Sequence, residues 1–165
     1  MSIADVRRNG GSIFVMNSAL DLIGNTPMVD VSNLSPNPNV RIVAKLESQN
    51  PYGSVKDRIA KAMIEDAERT GRLVPGQRIV EPSSGNTGIA LAAIAKMKGY
   101  PITILMPTSV SIERRQMLEV FGAQIILTPG AEGSNGAVRR AEKLASVVRH
   151  RMRSKSTEIG GNPLS

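Results

Sequence analysis

The chain predicts an α/β fold with a parallel sheet and helices on both of its faces. Two observations carry that expectation. Short apolar runs rich in branched residues alternate with longer amphipathic runs, and glycine or proline marks most junctions between them. Strands separated by helices of this length build βαβ units, because a parallel neighbour is reached only through a crossover long enough to hold a helix.

In chain order, Arg41-Ile42-Val43-Ala44-Lys45-Leu46 reads as the first strand. From about Ser54 to Thr70, the residues Ile59, Ala60, Met63, Ile64 and Ala67 fall at helical spacing, and Gly71 and Pro75-Gly76 turn the chain. Arg78 to Glu81 is a short strand ending at Pro82. Asn86 to Lys98 is a helix of small residues closed by Gly99, and Ile102 to Met106 is a buried strand stopped by Pro107. Ser111 can cap a helix through Phe121, with Glu113 in its first turn and Gly122 after it. Gln124 to Leu127 forms another strand. Ser134 or Asn135 caps a last helix, whose Ala137, Ala141, Leu144, Ala145 and Val148 make one face. Beyond Val148 the apolar period stops, and Arg149 through Ser165 reads as a disordered or poorly packed tail.

Composition narrows the function classes. At 165 residues with 41% apolar content, the chain suits one globular domain, with or without a tail. It has no cysteine, which excludes disulfides and thiolate chemistry, and the single His150 cannot make a metal cluster. No apolar stretch approaches the ~18 residues of a membrane span, and the N-terminal run is too short and broken for a signal peptide. The expectation is a cytoplasmic protein without a membrane partner. The net charge of +7 raises nucleic acid as a partner, but Arg149, Arg151, Arg153 and Lys155 put much of the excess into the terminal segment. Aromatic platforms for bases are lacking too, with no Trp, two Tyr and two Phe. No nucleic-acid partner is expected.

Two loops could carry chemistry. Asn50-Pro51-Tyr52-Gly53-Ser54-Val55-Lys56-Asp57-Arg58 presents Lys56 where a turn enters a helix. A lysine amine can hold an aldehyde cofactor covalently, although lysines at helix starts are ordinarily solvated surface charges. Glu81-Pro82-Ser83-Ser84-Gly85-Asn86-Thr87-Gly88 lies at a strand's carboxyl end and opens a helix, where hydroxyls and unpaired N–H groups suit a carboxylate. The same cluster also serves as an ordinary helix cap. Gly85 and Gly88 permit close backbone approach, yet no dinucleotide or nucleoside-triphosphate glycine pattern is present. Arg114-Arg115 read as a solvated helix face rather than an anion clamp, and Met63 and Met97 as core filling.

Taken together, Leu22-Ile23-Gly24-Asn25-Thr26-Pro27-Met28-Val29, Lys45-Leu46-Glu47, the Asn50–Arg58 segment and the Glu81–Gly88 loop resemble the cysteine synthase and cystathionine β-synthase family. The likeness runs on through Met106-Pro107, Ser111 to Arg115 and Phe121-Gly122-Ala123 to about Ala145. Dehydratases of the same fold usually carry Gly-Asn-His-Ala after their serine loop, so Gly85-Asn86-Thr87-Gly88 favours the synthase branch.

The resemblance implies the N-terminal portion of a tryptophan-synthase-β-like fold and pyridoxal 5'-phosphate as cofactor. Lys56 would bind the cofactor as a Schiff base and move the Cα proton. Asn86 would hydrogen-bond the cofactor's 3' oxygen, and Ser83, Ser84 and Thr87 would hold the substrate carboxylate. The implied reaction is β-replacement on O-acetylserine or O-phosphoserine, with sulfide or a sulfur carrier adding to give L-cysteine. A cystathionine β-synthase-like enzyme and a non-catalytic carboxylate- or partner-binding module are the alternatives, and relatives of this family are usually homodimers.

Such relatives run to roughly twice this length, and the cofactor-phosphate loop would lie in the part not matched. The expected division is a 1–19 extension, a partial cofactor domain over 20–147 and a basic tail over 148–165. Little or no activity from the chain alone, and an exposed apolar patch, are expected with it.

Overall fold

The computed structural model describes residues 6–8, 11–13 and 16–159, with side chains over 16–146. Its centre is a three-stranded parallel sheet of β5 (Ile79–Glu81), β6 (Ile102–Pro107) and β7 (Gln124–Thr128), in the spatial order β5-β6-β7. Ile79 stands opposite Ile102, and Thr103 opposite Gln124. β6 is the middle strand, and all of its residues are buried. That explains its continuous apolar run: a strand covered on both faces has no side that gains from being polar.

Successive residues of β6 serve two cores. Ile102, Ile104 and Met106 pack with α1 (Lys56–Arg69), α2 (Asn86–Lys98) and α3 (Ile112–Val120). Leu105 points the other way, to Ala137 and Ala141 of α4 (Gly133–Ile159). The expected parallel sheet with helices on both faces is therefore present. Thr103 is buried among these residues, and its hydroxyl donates to Gln124 Oε1 at 3.2 Å while accepting from Arg78 Nη1 at 3.0 Å. α2 buries every residue from Gly88 to Ala95, so it has no polar stripe, and its alanines let it sit deep between neighbours. Gly99 closes α2 in the left-handed conformation (φ 78°), the residue best suited to that cap.

Four expectations need correction. The strand read at 41–46 is not in the parallel sheet: β4 (Val43–Lys45) pairs antiparallel with β3 (Met28–Asp30), Met28 opposite Lys45. Apolar alternation marks an extended segment but carries no information on the direction of its partner. The last helix starts at Gly133, ahead of both proposed caps, and its backbone stays helical to Ile159, past the point where a tail was expected. Arginine, lysine and methionine sustain a helix without an apolar face. Met63 and Met97 are about half exposed, since Ile64, Leu91 and Ile94 already fill that core. Finally, Ser111 stands at the N-cap of α3 without capping it through its side chain. N-terminally, β1 (Val6–Arg8) and β2 (Gly11–Ile13) form an antiparallel pair, while His150 and residues 160–165 lie outside the described side chains.

The β3–β4 pair leaves Met28, Val29, Ile42 and Val43 exposed, with Leu34 exposed at 73% on the connection between its strands. By the register, Met28 and Val43 share one face of this pair and Val29 the other, and the Met28–Val43 face is the candidate for the expected apolar patch. Binding of a hydrophobic dye by the folded chain, lost on Met28→Lys/Val43→Lys substitution, is the expected outcome; equal dye binding by both would place the patch elsewhere. In the core, Ile104→Ala should cost about 2–5 kcal/mol of unfolding free energy by chemical denaturation, because Ile104 is fully buried.

Candidate active site

Lys56 is the first residue of α1 and is half-buried. Its backbone N–H donates to Ser54 Oγ at 3.1 Å. Among the described residues, its amine makes no ion pair with a carboxylate. The turn ahead of it is held by buried Asp57, whose Oδ2 accepts from the Tyr52 N–H at 2.7 Å. Burial pushes the Asp57 carboxyl up from its ordinary range, against the pull of the Tyr52 N–H and the Ser54 hydroxyl. Tyr52 is anchored in turn: its ring meets Phe121 edge-on at 5.8 Å, and its hydroxyl donates to Met97 Sδ.

A second set of bonds fixes the same turn from outside. Arg58 donates through Nε to Glu47 Oε2 at 2.9 Å and through Nη2 to Glu47 Oε1 at 3.1 Å. Nη2 also reaches the Thr26 hydroxyl at 2.9 Å, and that hydroxyl donates to Glu47 Oε1 at 3.2 Å. Asn50 completes the set, giving its amide N–H to Glu47 Oε2 and accepting from the Gly24 N–H at 2.9 Å. Sequence reading assigned no role to Glu47, Asn50, Thr26 or Arg58. The available signal was an acidic and a basic residue bracketing the Asn50–Val55 turn.

Ser83, Ser84, Asn86 and Thr87 are brought together at the start of α2, Asn86 exposed and the other three half-buried. Ser83 Oγ accepts from the Gly88 N–H at 3.0 Å, so the capping role is real. A hydroxyl that accepts keeps its proton free to donate, and the cap leaves Ser83 able to meet a carboxylate. A Cβ on Gly88 would lie 2.7 Å from the Ser83 carbonyl oxygen, which shows how closely the loop folds back on its helix. Over Gly85 the space is open. Behind the loop, burial alone pushes the Glu81 carboxyl up.

The two loops are not joined by any hydrogen bond among the described residues. Contacts tie the lysine turn and α1 instead to the far end of α2, through Tyr52–Met97 and through Lys98 Nζ to Glu68 at 2.7 Å. Chemically, the arrangement offers an amine without a carboxylate partner among the described residues at one helix start, and hydroxyl, amide and N–H donors at another. That donor set fits a cofactor aldehyde and a substrate carboxylate.

The sequence pattern of the pyridoxal-phosphate dependent enzymes matches residues 19–156. The chain belongs to that family. It is 53% identical over 128 residues to a cysteine synthase of a Flavobacterium species, a match covering 78% of this chain and 41% of that protein. A solved cysteine synthase of Entamoeba histolytica superposes with a TM-score of 0.77 at 37% identity, over 88% of this chain and 44% of that one. An O-ureido-L-serine synthase superposes with a TM-score of 0.75 at 44% identity, over 80% and 42%. The chain thus spans about two-fifths of the length of the curated relatives it matches.

Within this family member, Arg115 departs from the solvated face expected of the arginine pair. Arg115 is half-buried and donates to the carbonyls of Thr108 and Val110, which pins the loop after β6; its Nε is buried without a partner. Arg114 is exposed but reaches across to the Ser84 carbonyl at 3.3 Å. No helix among the described residues is long and apolar enough to cross a membrane.

The Glu47–Arg58 set makes a pH prediction. Arg58 holds the Glu47 carboxyl at about 2, below its ordinary 4.5. A carboxyl lowered by folding stabilises the fold fully above its ordinary value and loses that contribution as protons bind. The wild-type chain should therefore lose stability between about pH 4.5 and 2 more steeply than Glu47→Gln, measured by urea unfolding across that window. Parallel pH profiles for the two would contradict this role.

Proposed function

We propose that the chain serves a pyridoxal-phosphate-dependent β-replacement, in which an O-activated serine loses its leaving group, sulfide adds, and L-cysteine forms. The observation that carries this reading is the Lys56 amine at the head of α1, without a carboxylate partner among the described residues and on a turn held from both sides. Membership of the family and the likeness to cysteine synthases support it. When bound, pyridoxal phosphate supplies the electron sink for breaking the Cα–H bond and expelling the β-substituent. Lys56 would hold the cofactor's aldehyde carbon and would carry the Cα proton. The Asn86 amide would donate to the cofactor's 3' oxygen. Ser83, Ser84 and Thr87, with the first N–H groups of α2, orient the substrate carboxylate.

The chain by itself is proposed to hold the cofactor weakly, because no hydrogen bond among the described residues joins the lysine turn to the hydroxyl-rich loop. A cytoplasmic location, a homodimeric assembly and the division at residues 19 and 147 belong to the same proposal. The matched O-ureido-L-serine synthase acts, by its name, toward a different product. The nucleophile is therefore the part of the reading that rests most on the cysteine synthases.

Titrating the chain with pyridoxal phosphate should produce the visible absorbance of a lysine-bound aldehyde. Lys56→Ala should abolish it, while Lys61→Ala should leave it unchanged. Equal absorbance from the wild-type chain and Lys56→Ala would contradict the assignment.

A further inference from the structure

β5 is an edge strand: β6 pairs with one side of it, and among the described residues no strand pairs with the other. Ile79 stands opposite Ile102 and donates its N–H to the Pro101 carbonyl at 2.9 Å, so alternation along the strand turns the Val80 N–H and carbonyl to the free side. The helix layer does not stop where the sheet stops. On the face that carries Ile104, α3, α2 and α1 lie side by side, with α3 against β7 and α2 against β6, while α1 packs on α2 rather than on a strand. Neighbouring helix axes are about 8–10 Å apart and neighbouring strands about 4.8 Å. Three helices are therefore wider than three strands, and α1 overhangs the β5 edge by about the width of one strand.

Under that overhang lies an open cavity of about 540 Å³. Met63, Ile64 and Ala67 of α1, Leu91 of α2 and Ile79 give it an apolar wall, on which Met63 is 48% exposed. Most charges at its margin are engaged: Arg72 pairs with Asp66, and Arg78 turns to Thr103 and Gln124. Glu81 is the exception. Among the described residues its half-buried carboxyl meets no cation, and burial is the sole cause of its upward shift. A carboxylate beside an apolar wall is destabilising while it lacks a partner, and a cation carried by a ligand relieves that.

We propose that the β5 edge docks one extended segment of a separate polypeptide, with apolar side chains toward α1, polar ones on the opposite face, and a lysine or arginine level with Glu81. A strand laid along β5 meets the Val80 N–H and carbonyl, and its successive side chains fall on alternate faces. On the far face α4 lies chiefly against β6, so side chains pointing that way at the edge meet water. A second copy of this chain does not suit the slot. Paired edge to edge, it would carry its own α2 into the space that α1 fills. A lone segment brings no helix with it and fits beneath the overhang. The slot stands whether or not Lys56 captures a cofactor.

The test is fluorescence anisotropy of a labelled peptide, Lys-Thr-Val-Thr-Val-Thr-Lys, titrated with the full chain. Its valines and lysines share one face, and one lysine reaches Glu81 in either strand direction. The wild-type chain should bind it, but neither the same peptide with glutamates for both lysines nor one N-methylated along its backbone. With a net charge of +7 the chain attracts the glutamate peptide non-specifically, so a lysine preference reports the slot. Loss of one charge-assisted contact is about tenfold or more in affinity, and Glu81→Gln should weaken binding by that factor. Met63→Ser should weaken it by about fivefold through lost apolar contact. Equal binding of the lysine and glutamate peptides, or retained binding of the N-methylated one, would overturn the proposal, as would no binding at millimolar concentration. Binding that ignores both substitutions would place the peptide elsewhere, the free β7 edge included, and would overturn it too. Tighter binding by Glu81→Gln would make the carboxylate a guard against edge pairing, the opposite of the role assigned. A dimer in sedimentation that Met63→Ser dissolves would put a second copy in the slot and remove the separate partner.

Discussion

Arg58 grips both oxygens of Glu47, and the candidate site depends on that two-pronged contact. It closes a ring of side chains through Thr26 and Asn50 that joins the Gly24–Thr26 loop to the head of α1. The pair is partly open to water, at 34% and 25% side-chain exposure, so its weight as a stabiliser is modest. Its value is geometric. A bidentate guanidinium–carboxylate pair fixes direction as well as distance, and Lys56 lies two positions before Arg58 on the same helical turn. Asp57 works from the inner side, where it is fully buried and receives the Tyr52 N–H. An inner and an outer carboxylate thus bracket one amine that neither of them neutralises.

The same contrast between direction and stability appears at the second loop. Ser83 spends an acceptor on the Gly88 N–H, and Gly88 has no room for a side chain against the Ser83 carbonyl. The loop is shaped by its own helix before any ligand arrives. Its donors at Ser84 and Gly85 border an open cavity that Arg114 overlooks. Because α2 is buried through its middle, these groups lead directly into a rigid element, and preorganised donors need little reordering on binding.

Much of this was legible in the sequence. α2 was readable to the residue because Asn86 follows a glycine and Gly99 supplies the left-handed cap. β6 was readable because a strand with two covered faces must be apolar throughout. The clustering of Ser83, Ser84, Asn86 and Thr87 followed from their adjacency. Less visible was anything requiring a partner in space. The 41–46 strand pairs with Met28–Asp30, and no local pattern states a strand's partner or its direction. Arg115 looked like a surface residue because its burial depends on how the loop after β6 returns over α3. Glu47 and Arg58 meet only once the intervening turn has closed.

The central claim is that Lys56 is the amine that captures an aldehyde cofactor. The most direct measurement is borohydride reduction of the chain after incubation with pyridoxal phosphate, followed by peptide mass spectrometry. The account predicts that the reduced adduct concentrates on the peptide carrying Lys56, ahead of the other lysines of the first two helices, Lys61, Lys96 and Lys98. An adduct spread evenly over these lysines, or absent from Lys56, would contradict it.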